Sequence, residues 1–447
     1  MSDWLIVNAE LVNEGRRYAG DVRVRNGRIE AIAPSLAARP QERVFDARGR
    51  LLLPGMIDDQ VHFREPGLEH KGDFYTESRA AVAGGVTSYM EMPNSKPPTT
   101  DFAALADKYA RAAQKSLANY AFYFGATNDN LEQVRTLDPH AACGIKVFMG
   151  ASTGNMLVDD PVVLDRIFAR SPVPVLTHCE DTPTIEANLA AARADYGADI
   201  PVRCHPYIRS REACLKSTRL AIALARRHGT RLHVLHISTA DELELFEPGP
   251  LERKRITAET CVHFLHFSEA DYAEKGNFIK CNPAIKTAGD RAALIEALKS
   301  GRIDVLATDH APHTLAEKQL PYEQAPSGLP LVQFVLQCAL ENWFSRLLPL
   351  ELIVEKTAHA PAKLFGVRER GFLREGYHAD LVLIDPQTPQ TVAREAVLSK
   401  CGWSPFEGYT FRSSVAATWV NGHLAWHEGR LDDSELGRRL EFDRPKS

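Results

Sequence analysis

Histidines, carboxylates and one lysine recur in this sequence where apolar runs stop. The first such place is Asp58-Asp59-Gln60-Val61-His62-Phe63-Arg64. Lys146 lies inside Gly144-Ile145-Lys146-Val147-Phe148-Met149, His178 follows the run Val173–Thr177, His236 closes another, and Asp309 follows Ile303–Thr308. Imidazole and carboxylate on a rigid frame are the ligands zinc prefers. A metal-activated water is a nucleophile at neutral pH, so the chemistry implied is hydrolysis. Each residue alone also has a plainer role. A histidine at a strand end is commonly a satisfied polar residue. Asp309, in Thr308-Asp309-His310-Ala311-Pro312-His313, has the alternative of an N-cap. Lys146 is either snorkelling to its strand end or a desolvated amine of lowered pKa. Arg64 taken alone reads equally as a surface salt bridge or as a planar fork for a carboxylate. Three histidines and an aspartate in phase at strand ends favour one metal-dependent centre.

Such a centre needs strands to hold it. Eight apolar runs alternate with helix-period stretches: Leu51–Ile57, Val86–Met92, Tyr120–Ala126, Gly144–Met149, Val173–Thr177, Arg231–His236, Arg255–Thr260 and Ile303–Thr308. Phe102–Ala118 and Arg211–His228 are the clearest helical segments between them. Alternating strands and helices predict an α/β fold, a (β/α)8 TIM-like barrel whose chemistry sits where strands end. Short strands flank it: Trp4–Leu11, Asp21–Val24 and Arg28–Ala33 before, with a turn at Asn26-Gly27, and His378–Ile384 and Ser414–Val420 after. The expected domains are residues 1–53 and 369–447, which together make a small β-sandwich, and a barrel over residues 54–368.

Composition narrows the class without naming a reaction. Of 447 residues, 44% are hydrophobic and 25% charged, and the net charge is −5. That balance is ordinary for a globular enzyme and is no nucleic-acid footprint. No apolar run approaches the ~20 residues that span a bilayer, and the start, Met1-Ser2-Asp3-Trp4, does not read as a secretion signal. The eight cysteines are scattered and form no C-x-x-C pair, which suits reduced thiols. A cytoplasmic enzyme with a small-molecule substrate, no nucleic acid and no membrane is the expectation. A homodimer is the commonest assembly for such a protein.

Together the motifs resemble the cyclic amidohydrolases of the metal-dependent amidohydrolase superfamily, and among them most closely the dihydroorotases, over nearly the whole chain. The family's D-x-H-x-H-x-R followed by P-G is similar to Asp58-Asp59-Gln60-Val61-His62-Phe63-Arg64-Glu65-Pro66-Gly67. Its M-P-N matches Met92-Pro93-Asn94, its lysine strand Lys146-Val147-Phe148-Met149-Gly150, and its last motif Ala307-Thr308-Asp309-His310-Ala311-Pro312-His313 with Lys318 beyond. Thr177-His178-Cys179-Glu180 and Leu235-His236-Ile237-Ser238 stand where the family has further ligands. The resemblance implies reversible opening of the ring of (S)-dihydroorotate to N-carbamoyl-L-aspartate, a step of pyrimidine (UMP) biosynthesis. It implies one or two Zn2+ held by His62, Lys146, His178, His236 and Asp309, with Lys146 carboxylated where two ions are bridged. It gives Asp309 the proton-transfer role and Arg64, Asn94, Asn282, His313 and Gly328 the substrate.

The sequence departs from that pattern at Gln60, where the family has the first histidine of H-x-H. Gln60 and Asp58 are therefore expected as a weak ligand or as support behind the ligands, with unequal affinity for two ions. Two other readings stay open. One is an allantoinase- or hydantoinase-like ring opener, against which Arg64, Asn94 and Ala311-Pro312-His313 argue. The other is a non-catalytic chain associated with aspartate transcarbamoylase, for which Gln60 would be a first sign of lost ligands. His263, His266 and His310 have no assigned role.

Overall fold

The computed structural model describes residues 3–150 and 156–444. Met1, Ser2 and the last three residues of the expected terminal segments lie outside them. Twenty strands follow in order. The first five are β1 (Trp4–Asn13), β2 (Arg16–Arg25), β3 (Arg28–Ala33), β4 (Arg43–Asp46) and β5 (Leu51–Pro54). Nine parallel strands come next: β6 (Met56–Val61), β7 (Val86–Glu91), β8 (Asn119–Phe122), β9 (Phe124–Gly125), β10 (Ile145–Phe148), β11 (Val175–His178), β12 (Leu232–Val234), β13 (Ile256–Cys261) and β14 (Val305–Ala307). The last are β15 (Leu381–Asp385), β16 (Gln390–Thr391), β17 (Thr410–Phe411), β18 (Ser414–Val420), β19 (His423–His427) and β20 (Arg430–Leu431).

The class is α/β. β6, β7 and β8 form one parallel sheet, and β9 to β14 form another in sequential order. The two are joined on one side by the hydrogen bond from Cys143 N–H, before β10, to Phe122 O in β8. On the other side His62 N–H donates to His310 O. Helices lie between successive strands, and polar residues start them. Asp73, Asp101, Asp181 and Ser210 each accept a first-turn N–H, which satisfies donors that a helix N-terminus leaves free. Among the described residues no helix is long and apolar enough to cross a membrane.

The flanking strands form one continuous mixed sheet, β20-β19-β18-β15-β5-β1-β2-β3, with β4 also on β1. The expected β domain of the terminal segments is thus met as one connected sheet that shares β1. The cause is local: β1 shifts register between Ile6 and Ala9, where Asn8 has φ 57°, so its first half pairs with β4 and its second with β5. The sheet then folds over Trp4, Phe45 and Trp419, whose rings meet edge to face.

Several predicted elements are split or shortened, three of them for a visible reason. Leu51–Ile57 is two strands in two different sheets, broken at Gly55, which has no room for a side chain beside Thr87. Tyr120–Ala126 divides around Tyr123, whose hydroxyl donates to Asp59 O at 2.8 Å. The helix over Phe102–Ala118 ends at Ala112, because Ser116 turns its hydroxyl onto Ala118 O and Leu117 N–H is taken by Ser78.

Candidate active site

Gln60, His62, Arg64, Lys146, His178, His236, Asn282, Asp309 and Gly328 face one cavity of about 30 Å³ at the C-terminal ends of the parallel strands. A larger cleft, about 560 Å³ beside Gln337 and Trp426, gathers no such set of ligand-type side chains. Three of the cavity residues sit just past their strands in left-handed backbone: Arg64 (φ 75°), His236 (φ 43°) and Asp309 (φ 53°). Conformations of that kind cost about 1–3 kcal/mol each and persist where the surroundings over-determine them. Gly328, at φ 146°, lies so close to Ala311 O and the His313 ring that a side chain there would collide.

The ligand-type atoms converge in two groups. His62 Nδ1 is 2.7 Å from Asn94 Oδ1, which fixes the ring proton there and leaves Nε2 facing Asp309 Oδ1 at 3.1 Å. Gln60 Nε2 also donates to Asp309 Oδ1, at 3.1 Å. Burial pushes the Asp309 carboxyl up, but the bond and charge of His62, with His236 and His263, outweigh it and hold it at about 2. In the second group His178 Nδ1 and His236 Nε2 are 3.0 Å apart, and His178 Nε2 is 3.0 Å from Glu180 Oε2. Burial lowers both imidazole pKa values, which favours the neutral form a metal requires. Lys146 is buried between these groups, and desolvation holds its amine down to about 8 against the pull of Asp309 and Glu259. Two converging imidazoles, a carboxylate and a partly neutral amine fit a transition-metal ion.

The substrate-side residues are arranged differently from the expectation. Arg64 is buried, donates from Nε to Pro312 O at 2.9 Å, and makes no ion pair among the described residues. Asn94 is not among the residues lining the cavity, and its oxygen meets His62 Nδ1. His313 lies behind Arg64. Lys71 Nζ is 3.1 Å from its Nδ1, and Arg64 Nη2 and Ser327 O are each 3.0 Å from its Nε2. Burial and the charges of Arg64 and Lys71 keep that ring neutral. Asn282 Oδ1 is buried without a hydrogen-bond partner on the cavity wall. Asp58 is away from the cavity and accepts from Thr308 Oγ1 at 2.6 Å, tying β6 to the segment that carries Asp309. Gln60 turns its NH2 to Asp309 and its oxygen toward Cys261 Sγ, so that oxygen is not offered to the cavity.

Several supporting residues carried no role in the sequence reading. Glu180 orients His178 and is itself ion-paired with Arg209. The one signal for it was its place two residues after His178. His310 accepts from Leu331 N–H and Val332 N–H at Nδ1 and donates from Nε2 to Glu77 at 2.9 Å. Glu77 also binds Ser399 and Lys400 N–H, so the helix after β6 and the segment before Trp403 brace the Asp309 region. Trp403 Nε1 holds His313 O at 2.7 Å. Lys318 Nζ gathers the carbonyls of Lys280, Pro326 and Gly328 at 2.9–3.2 Å. His266 packs among Phe267, Phe406 and Tyr409, away from the cavity. His263 is buried, and its ring feels the charge of Asp309.

Known proteins are similar to this chain over nearly its whole length. Residues 51–425 match the Amidohydrolase family. A dihydroorotase of Halobacterium salinarum is 34% identical over 424 residues, covering 94% of this chain and 96% of that protein. An allantoinase of Bacillus velezensis is 32% identical over 435 residues, covering 96% and 94%. The solved structure of an L-hydantoinase (dihydropyrimidinase) from Arthrobacter aurescens superposes with a TM-score of 0.92 at 28% identity, covering 99% of this chain and all of that one. Members of this superfamily depend on metal, and this chain is a hydrolase of cyclic amide bonds. With its motif residues gathered on one cavity and its length matched from end to end, the chain belongs to the amidohydrolase family.

Proposed function

We propose that the protein is a zinc-dependent dihydroorotase that interconverts (S)-dihydroorotate and N-carbamoyl-L-aspartate in pyrimidine biosynthesis. The observation that carries this reading is Arg64. A buried guanidinium without a carboxylate partner, on the wall of a ligand-rich cavity, is matched by an anionic substrate. Dihydroorotate brings a carboxylate; allantoin and hydantoin do not. Five candidate ligands in one place also argue against a non-catalytic partner chain.

His62, Lys146, His178, His236 and Asp309 are the residues that would hold metal. When bound there, a divalent ion supplies Lewis acidity and makes a water acidic enough to attack an amide. Asp309, ionised at neutral pH, takes the water proton and returns it to the ring nitrogen that leaves. Lys146, with its amine held down to about 8, keeps a neutral fraction of roughly a tenth at pH 7. That form adds carbon dioxide and loses a proton to become an anionic carbamate. Arg64 grips the substrate carboxylate, and Asn282 and the Gly328 backbone stand on the wall where the ring amides would lie. The pairing from β6 round to β14 and back through His62 and His310 supports an eight-position β/α barrel over residues 54–368. The terminal segments then make the β-rich domain.

The test is a substrate panel with a metal count on the same preparation. Ring opening of dihydroorotate should exceed that of allantoin and hydantoin by orders of magnitude. A preference for allantoin would replace this reading with the second one, and metal-replete protein inert on all three would remove both.

A further inference from the structure

One layer below the cavity, three other side chains meet. Asp59, His233 and Glu259 are fully buried, and their ligand-type atoms all lie within 4.8 Å of one another. We propose that Asp59, His233 and Glu259 form an inner site for a divalent transition-metal cation, separate from the cavity at the strand ends. The proposal does not depend on which cyclic amide is the substrate.

The tautomer of His233 is the starting point. Thr257 Oγ1 donates its one proton to Leu232 O at 3.1 Å, so it can only accept from His233 Nδ1, 2.8 Å away. The Nδ1 proton is thereby fixed, and in the neutral ring the Nε2 lone pair points at two carboxylates. It is 3.1 Å from Glu259 Oε2 and 3.6 Å from Asp59 Oδ2. Ligands bound at ~2.0–2.1 Å in tetrahedral geometry stand about 3.3–3.4 Å apart, between those two values. A hydrogen-bonded Nδ1 behind a ligating Nε2 is also the usual support for a metal-bound histidine. Neither carboxylate oxygen of Asp59 has a hydrogen-bond partner. With a neutral imidazole the group carries two negative charges, which one divalent cation cancels. The competing occupants are two protons, one on His233 Nε2 and one shared between Glu259 and Asp59, and a divalent cation replaces both at equal charge. The nearest cleft is apart from the upper cavity. His233 and Thr257 also line a cleft of about 380 Å³ at the opposite ends of β12 and β13.

The test uses the full-length protein stripped of metal with a chelator and titrated with Zn2+ alone, then counted by mass spectrometry. A variant with His62→Asn, His178→Asn, His236→Asn and Asp309→Asn, emptied at the strand-end site, should keep one equivalent. Adding Asp59→Asn should remove that equivalent or weaken it at least tenfold. Crystals of the unaltered protein grown with Zn2+ should show an anomalous peak among the three side chains, so the question does not depend on the variants folding. No peak there would overturn the proposal. So would a zinc equivalent indifferent to Asp59→Asn.

Discussion

Replacing Arg64 by alanine tests the assignment of substrate most directly. The guanidinium commits Nε to Pro312 O and brings Nη2 within 3.0 Å of His313 Nε2, which leaves the edge between its two terminal nitrogens for the cavity that Arg64 lines. Two charge-assisted bonds to a carboxylate from that edge are worth about 1.5–3 kcal/mol each, hence ~3–5 kcal/mol when made together in a buried place. At 1.36 kcal/mol per power of ten, kcat/KM for dihydroorotate should fall by roughly two to four powers of ten. The guanidinium is not a ligand, so bound metal should be retained. Activity on hydantoin, which offers no carboxylate, should change far less. Arg64→Lys should recover only part of the loss, because a point charge cannot reproduce a planar fork. The assay is ring opening of both substrates with metal counted on each preparation. A loss below tenfold, or equal losses on both substrates, would refute the carboxylate clamp.

Gln60→His should tighten metal binding at the strand ends, because an imidazole would replace an amide whose NH2 now faces Asp309; a higher chelator concentration for half-inactivation is the readout. Glu77→Ala should destabilise the fold by ~3–5 kcal/mol, since a buried carboxylate that receives His310, Ser399 and Lys400 N–H leaves those donors unpaired; urea unfolding measures it. Burial, with the nearby charge of Lys280, holds the Lys318 amine down to about 7, while the unfolded chain keeps the ordinary higher value. Between those two values the unfolded chain binds the extra proton, so this residue makes stability rise with pH above about 7. Lys318→Met should abolish that increment, and a wild-type-minus-variant difference that stays flat from pH 7 to pH 10 would contradict it.

Much of the site could be read from the sequence because its chemistry is local to strand ends. His62, Lys146, His178, His236 and Asp309 each follow or interrupt an apolar run, and the parallel order of the strands brings such ends together. What could not be read depends on residues distant in the chain. The bond between Asn94 and His62 spans 32 positions and ties an expected substrate contact to an expected metal ligand. Trp403 reaches His313 across 90 positions, and Glu77 meets Ser399 across 322. Periodicity also hid the break at Gly55, since an unbroken apolar run gives no sign that the chain changes sheets. The single folded sheet was equally invisible, because it follows from one register shift in β1.

The left-handed backbone at Arg64, His236 and Asp309 bears on how this protein can change over time. Glycine would relieve the torsion at each position, and with it would go the proposed clamp, a proposed ligand or the proposed proton acceptor. Selection for stability alone therefore pulls these three positions toward residues that abolish hydrolysis. Their side chains persist only under selection for turnover. In a lineage freed from that demand, these sites would drift first, ahead of His178, which ends β11 in ordinary strand geometry.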